Sequence, residues 1–184
     1  MELRGFMHRP PDPSRMSTTL AATFADALDD LGVGSTRTAA ADFPSALAAA
    51  IEGPAVGTSL PFDGISLDVA DVTVSPTPDQ LHAATTGITP VFGGIAEYGS
   101  VVVESRPEGD ELIALYPERH VAVLRERDLV AGVDDATDDL RERFAAGRDS
   151  AVLATGVSAT ADMGATVEGV HAPREVHVIV LTDR

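Results

Sequence analysis

Short Val-rich runs alternate with capped helical runs along this chain, and that alternation restricts its fold more than any other feature. Ser17 is placed to cap a helix in which Leu20, Phe24, Leu28 and Leu31 recur at helical spacing before Gly32 stops it. Asp42 is placed to cap a short helix over residues 46–51, with Gly53-Pro54 as the stop. A strand over 72–74 leads into Ser75-Pro76-Thr77-Pro78, where Thr77 caps and Pro78 takes the first helical position. That helix runs through Leu81 and Ala84 and ends at Gly87. Two β stretches, 91–96 and 100–104, flank the turn Glu97-Tyr98-Gly99. Residues 112–115 and 121–124 read as further strands, and 135–146 as a charged helix with Leu140 and Phe144 inward. Strands over 151–155 and 176–181 follow. This order predicts an α/β fold: a mostly parallel sheet with helices on both faces and a hairpin in the middle.

At 184 residues the chain suits one domain with a full core. Residues 1–15 read as a disordered arm, with Pro10, Pro11 and Pro13 close together, and 16–184 as the domain. Met16 reads as the natural start and the arm as an extension; an intact Met1 in the native protein would contradict this. Aromatic residues are scarce and Trp is absent, so the core must be built from Val, Ala, Leu and Ile. No apolar run is long enough to span a bilayer, and the first residues carry prolines and arginines instead of an apolar signal segment. A cytoplasmic location is expected.

The acid–base balance is extreme. Asp and Glu number 29 against 13 basic residues, all of them Arg, for a net charge of −16. Such a domain repels itself in dilute buffer, but at molar salt the Debye length falls to about 3 Å and the repulsion is screened. The acids are spread along the chain and not gathered in a tail, so a halophilic acidic protein is the favoured reading over one that seeks basic partners. Nucleic acid is disfavoured as a partner, because no basic stripe is present to neutralise phosphates. With no cysteine, the chain has no disulfide, no thiol nucleophile and no thiolate to hold a cluster. A redox role would need a partner to carry the electrons, and no cofactor is expected on this chain. The five histidines show no metal-ligand spacing.

Three loops carry candidate chemistry. In Gly93-Gly94-Ile95-Ala96-Glu97-Tyr98-Gly99-Ser100 a carboxylate sits at a strand end, where it can act as nucleophile, base or anchor, or simply face water. Residues 155–164 combine glycines with Ser158, Thr160 and Asp162 after a strand. That composition suits an anion held by backbone N–H groups, and equally an ordinary strand-to-helix loop capped by Ser158 or Thr160. It is not a P-loop, since no Gly-Lys-Ser/Thr is present. In the third, Gly169-Val170-His171-Ala172-Pro173-Arg174-Glu175, His171 is a candidate titrating group and Arg174 a candidate holder of a carboxylate; equally, Arg174 pairs with Glu175 at the surface and His171 is a satisfied loop histidine. His120 heads a strand in the same manner, within Tyr116-Pro117-Glu118-Arg119-His120.

Taken in order, four segments resemble the LUD-domain proteins, nearest to the stand-alone lactate utilization protein C (LutC) type. They are 95–100 (Ile-Ala-Glu-Tyr-Gly-Ser), 115–121 (Leu-Tyr-Pro-Glu-Arg-His-Val), 158–162 (Ser-Ala-Thr-Ala-Asp) and 169–178 (Gly-Val-His-Ala-Pro-Arg-Glu-Val-His-Val). The resemblance covers roughly residues 70 to 182 well and the N-terminal helices loosely. It implies a fold similar to the NagB/RpiA/CoA-transferase group, and a subunit supporting oxidation of L-lactate to pyruvate beside iron–sulfur partner proteins. Tyr98 and Ser100 stand where the family usually has Thr, Ala159 where Arg is usual and Gly164 where Glu is usual. The expected site is then Glu97 as the catalytic group, with Gly99, Ser100, His120, Ser158, Thr160, Asp162, His171 and Arg174 around a small carboxylate. The alternatives are an independent acyl- or CoA-transferase-like or folate-ligase-like enzyme using Glu97, and a binding module without chemistry.

Overall fold

The middles of the central strands, residues 121–124 and 178–181, are apolar without a break because both of their faces are covered. The computed structural model describes residues 13–157, 159–162, 165–168 and 173–184. Six strands form an all-parallel sheet: β1 (Gly34–Thr38), β2 (Ala55–Gly57), β3 (Val72–Val74), β4 (Thr86–Pro90), β7 (Arg119–Arg125) and β12 (Glu175–Leu181). Their spatial order is β1-β12-β7-β4-β2-β3. A smaller sheet, ordered β8-β5-β6-β9, joins β5 (Gly94–Ile95), β6 (Ser100–Glu104), β8 (Leu129–Val130) and β9 (Ala151–Thr155). In it β6 runs antiparallel to both β5 and β9. β10 (Ala159–Asp162) and β11 (Ala165–Glu168) make a separate antiparallel pair.

Residue alternation sorts the two faces of the parallel sheet. Val121, Val123, Ile179 and Leu181 pack with Phe43 and Leu47 of helix α2 (Phe43–Ala50) and with Phe62 and Leu67 of the segment between β2 and β3. Ala122, Leu124, Val178 and Val180 point the other way. They meet Phe24 and Leu28 of α1 (Pro13–Asp30), Ala114 of α4 (Asp110–Leu115), and Val101 and Val103 of the small sheet. The fold is thus α/β with helices on both faces, as the alternation predicts. No described helix is long and apolar enough to cross a membrane.

Local signals hold where the interaction is local. Thr77 caps α3 (Pro78–Ala83) through the Gln80 N–H, while the Gln80 side chain accepts from the Thr77 N–H at 2.9 Å. The hairpin expected around Glu97 is the β5–β6 pair, closed by a turn of 3-10 helix over Ala96–Tyr98 and by Gly99 in the left-handed region at φ 61°.

Several expectations are overturned. Residues 112–115 are not a strand but most of α4. Gly109 turns the chain with φ 87°, and the helix buries Ile113 and Ala114 together while leaving Leu112 64% exposed. Strand alternation would have put 112 and 114 on one side. Gly87 does not end a helix; it lies within β4, where a Cβ would sit 2.0 Å from the Ile113 carbonyl oxygen. Its bare backbone lets α4 lie directly on the sheet. Helix α5 (Val133–Ala145) forms, but Phe144 stays 45% exposed, and the inward positions are Ala136, Leu140 and Arg143. The loop after β9 leads to the β10–β11 pair and not to a helix. Asp42 precedes α2 without making a side-chain cap. Helix α1 begins at Pro13, inside the stretch read as an arm, a proline being well suited to a first helical turn, and it contains Met16; residues 1–12 lie outside the described residues.

Candidate functional site

A cavity of about 250 Å³ opens between the parallel sheet and the small sheet. Val176 and Val178 of β12 form one wall, and Val101, Val103, Val152 and Ala154 of β6 and β9 the other. Pro173 and Ala159 border it, and Leu28 and Val33 come from the end of α1 and the residue before β1. It lies towards the N-terminal ends of the parallel strands: His120 is the second residue of β7, in register with Val176 of β12 and Gly87 of β4. Open α/β sheets more often bind ligands beyond the carboxyl ends of their strands.

His120 is the one histidine among the described lining residues, and it is only 2% exposed. Its Nε2 shares a 2.9 Å hydrogen bond with the hydroxyl of Thr89, itself fully buried on β4. Burial lowers the ring's pKa from 6.5 to about 4, so the imidazole is neutral at pH 7. On the small sheet Ser100 and Thr155 share a 2.6 Å hydroxyl–hydroxyl bond across the β6–β9 ladder, and Thr155 reaches the cavity. Gly99 and Gly156, both with positive φ, let the backbone pass close to Leu31 at the rim.

The predicted site residues are only partly gathered. Gly99 and His120 line the cavity, and Ser100 touches it through Thr155. Glu97 is exposed in the turn beside it, its carboxylate close to Gly132 and its N–H bonded to the Ala131 carbonyl; it is not among the lining residues. Arg174 is exposed, with its backbone N–H on the Glu118 carbonyl at 2.8 Å. It does not pair with Glu175, whose carboxylate goes to Arg119, a residue that also holds Glu52 at 3.0 Å. Thr160 and Asp162 lie on β10, opposite Val167 and Ala165. Ser158 and His171 lie outside the described residues. Thr89 carries no signal in the sequence, and Thr155 stands out only as the first residue of the 155–164 loop, because each matters for what it meets on a neighbouring strand.

Other buried charge serves to tie elements together. Arg106 donates to Asp110 at 2.8 Å and to the Ser59 carbonyl at 3.0 Å, with Asp110 fully buried. Arg143 of α5 donates to Glu104 of β6 at 2.7 Å while its guanidinium lies 4.8 Å from the centre of the Phe92 ring. Among the described residues no group of three or more His, Asp or Glu is placed to hold a metal ion.

Comparison with known proteins agrees with this geometry at the level of family and fold. The LUD domain matches residues 66–181. "Lactate utilization protein C" of Deinococcus radiodurans is 30% identical over 180 residues, an overlap covering 93% of this chain and 84% of that protein. The crystal structure of a DUF162 family protein, also from Deinococcus radiodurans, superposes with a TM-score of 0.69 at 23% identity. That match covers 90% of this chain and 98% of the other.

Proposed function

The chain belongs to the LUD-domain family, and from that membership we propose that it serves lactate utilization, as a cytoplasmic subunit supporting the oxidation of L-lactate to pyruvate. The observation that carries this reading is the 30% identity to a lactate utilization protein C across nearly the whole chain. Oxidising lactate to pyruvate releases two electrons and two protons. A chain without cysteine supplies no thiolate for an iron–sulfur cluster, so in this reading partner proteins hold the clusters and receive the electrons.

Deleting the gene and growing the strain on L-lactate as sole carbon source, at the host's own salt, tests the role. Growth should fail on lactate, persist on glucose and return with the gene. Purification of the tagged chain at molar salt should bring iron–sulfur proteins with it. Normal growth on lactate, in a strain with no second copy of the gene, would refute the assignment.

A further inference from the structure

The cavity between the two sheets has a largely apolar described lining. No Arg, Lys, Asp or Glu is among its described lining residues, and its walls are Val, Ala and Leu. One buried polar ring reaches it: His120, whose Nε2 is taken by Thr89 and whose Nδ1 has no hydrogen-bond partner among the described residues. Among the described residues the one buried side-chain polar atom without a hydrogen-bond partner is Glu104 Oε2, so Nδ1 of His120 is not sealed off and stays open to a group entering the cavity. The Thr89 hydroxyl can donate or accept, so Nδ1 meets either a carbonyl or an O–H or N–H group.

A carboxylate would lose its hydration here and meet no positive charge among the described lining residues, where burial keeps the one imidazole neutral at pH 7. The chain's net charge of −16 adds to the penalty. Neutral molecules face no such cost; apolar cavities of about 150 Å³ stay dry and take up small uncharged rings. The volume of about 250 Å³ is near the lower end of the usual range for ligand pockets, roughly 300–1,000 Å³.

We propose that the cavity beside His120 binds a small uncharged ligand, an apolar body with one carbonyl, hydroxyl or amide end hydrogen-bonded to Nδ1, and excludes free carboxylates. This goes beyond the lactate assignment and stands or falls separately from it. The probes are hexanamide and hexanoate, matched in shape and differing in charge, titrated into the full chain at molar KCl and neutral pH and followed by NMR. Hexanamide should give saturable shifts centred on Val101, Ala154 and Val176, and hexanoate should bind at least about tenfold more weakly. Ala154→Leu, which adds bulk to a half-buried lining position, should abolish the hexanamide shifts while leaving the melting temperature near that of the parent. If that variant does not fold, Val152→Phe adds bulk at another half-buried lining position of β9. Equal or tighter binding of hexanoate, no binding of hexanamide, or hexanamide binding that survives the filled cavity would each overturn the proposal. None of these outcomes bears on whether deletion abolishes growth on lactate.

Discussion

Replacing His120 with glutamine removes a titratable ring from a site that holds it neutral, and the consequence is measurable as stability against pH. An ordinary histidine takes up its proton near 6.5, whereas His120 in the folded chain does so only near 4. The proton is therefore bound about 300-fold more weakly in the folded than in the unfolded state, which at 1.36 kcal/mol per pH unit is about 3 kcal/mol. The sign follows from which state binds the proton. Above pH 6.5 neither does, and the native state keeps its full stability. Between 6.5 and 4 only the unfolded chain does, so stability falls as pH falls; below 4 the loss levels off. The carboxylates and His177, whose pKa burial and Arg119 also lower, remain in both proteins and cancel in the difference. Glutamine still offers Thr89 an amide partner. Urea unfolding of both proteins at fixed molar KCl, followed by circular dichroism, should show the parent losing about 3 kcal/mol more than the variant from pH 7 to pH 4. A difference that stays constant across that window would refute the claim that the ring is held neutral, and with it the electrostatic argument about the cavity.

Asp110→Asn should destabilise the fold by about 3–5 kcal/mol in the same urea assay, because it leaves the buried Arg106 guanidinium without its counter-charge; a loss near zero would mean that water reaches the pair. The melting temperature should climb steeply with KCl as the Debye length shrinks from about 10 Å at 0.1 M to about 3 Å at 1 M. A flat profile would show that the net charge of −16 does not govern stability. Glu97→Gln should restore growth on lactate to a deletion strain as well as the parent gene does, since the exposed carboxylate lies outside the cavity lining. A folded variant that fails to do so would instead favour Glu97 as nucleophile or base.

What could be read from the residues alone was whatever local or repeated physics encodes. Central strands buried on both faces must be apolar throughout, so the cores of β7 and β12 stood out as continuous runs. The Thr77–Gln80 cap and the turn at Gly99 use atoms a few residues apart, and both were legible. By contrast β1 reads Gly-Ser-Thr-Arg-Thr and β2 only Ala-Val-Gly; they are strands because β12 and β4 lie alongside to pair with them. Residues 112–115 fit either element by periodicity, and the bare backbone of Gly87 across the fold made room for a helix. His120 was visible as a candidate, and Glu97 as another. Chain order alone could not say that the first would be sealed beside Thr89 as a neutral ring while the second would face water. Desolvation depends on what surrounds a side chain in space, and those neighbours come from strands far apart in the sequence.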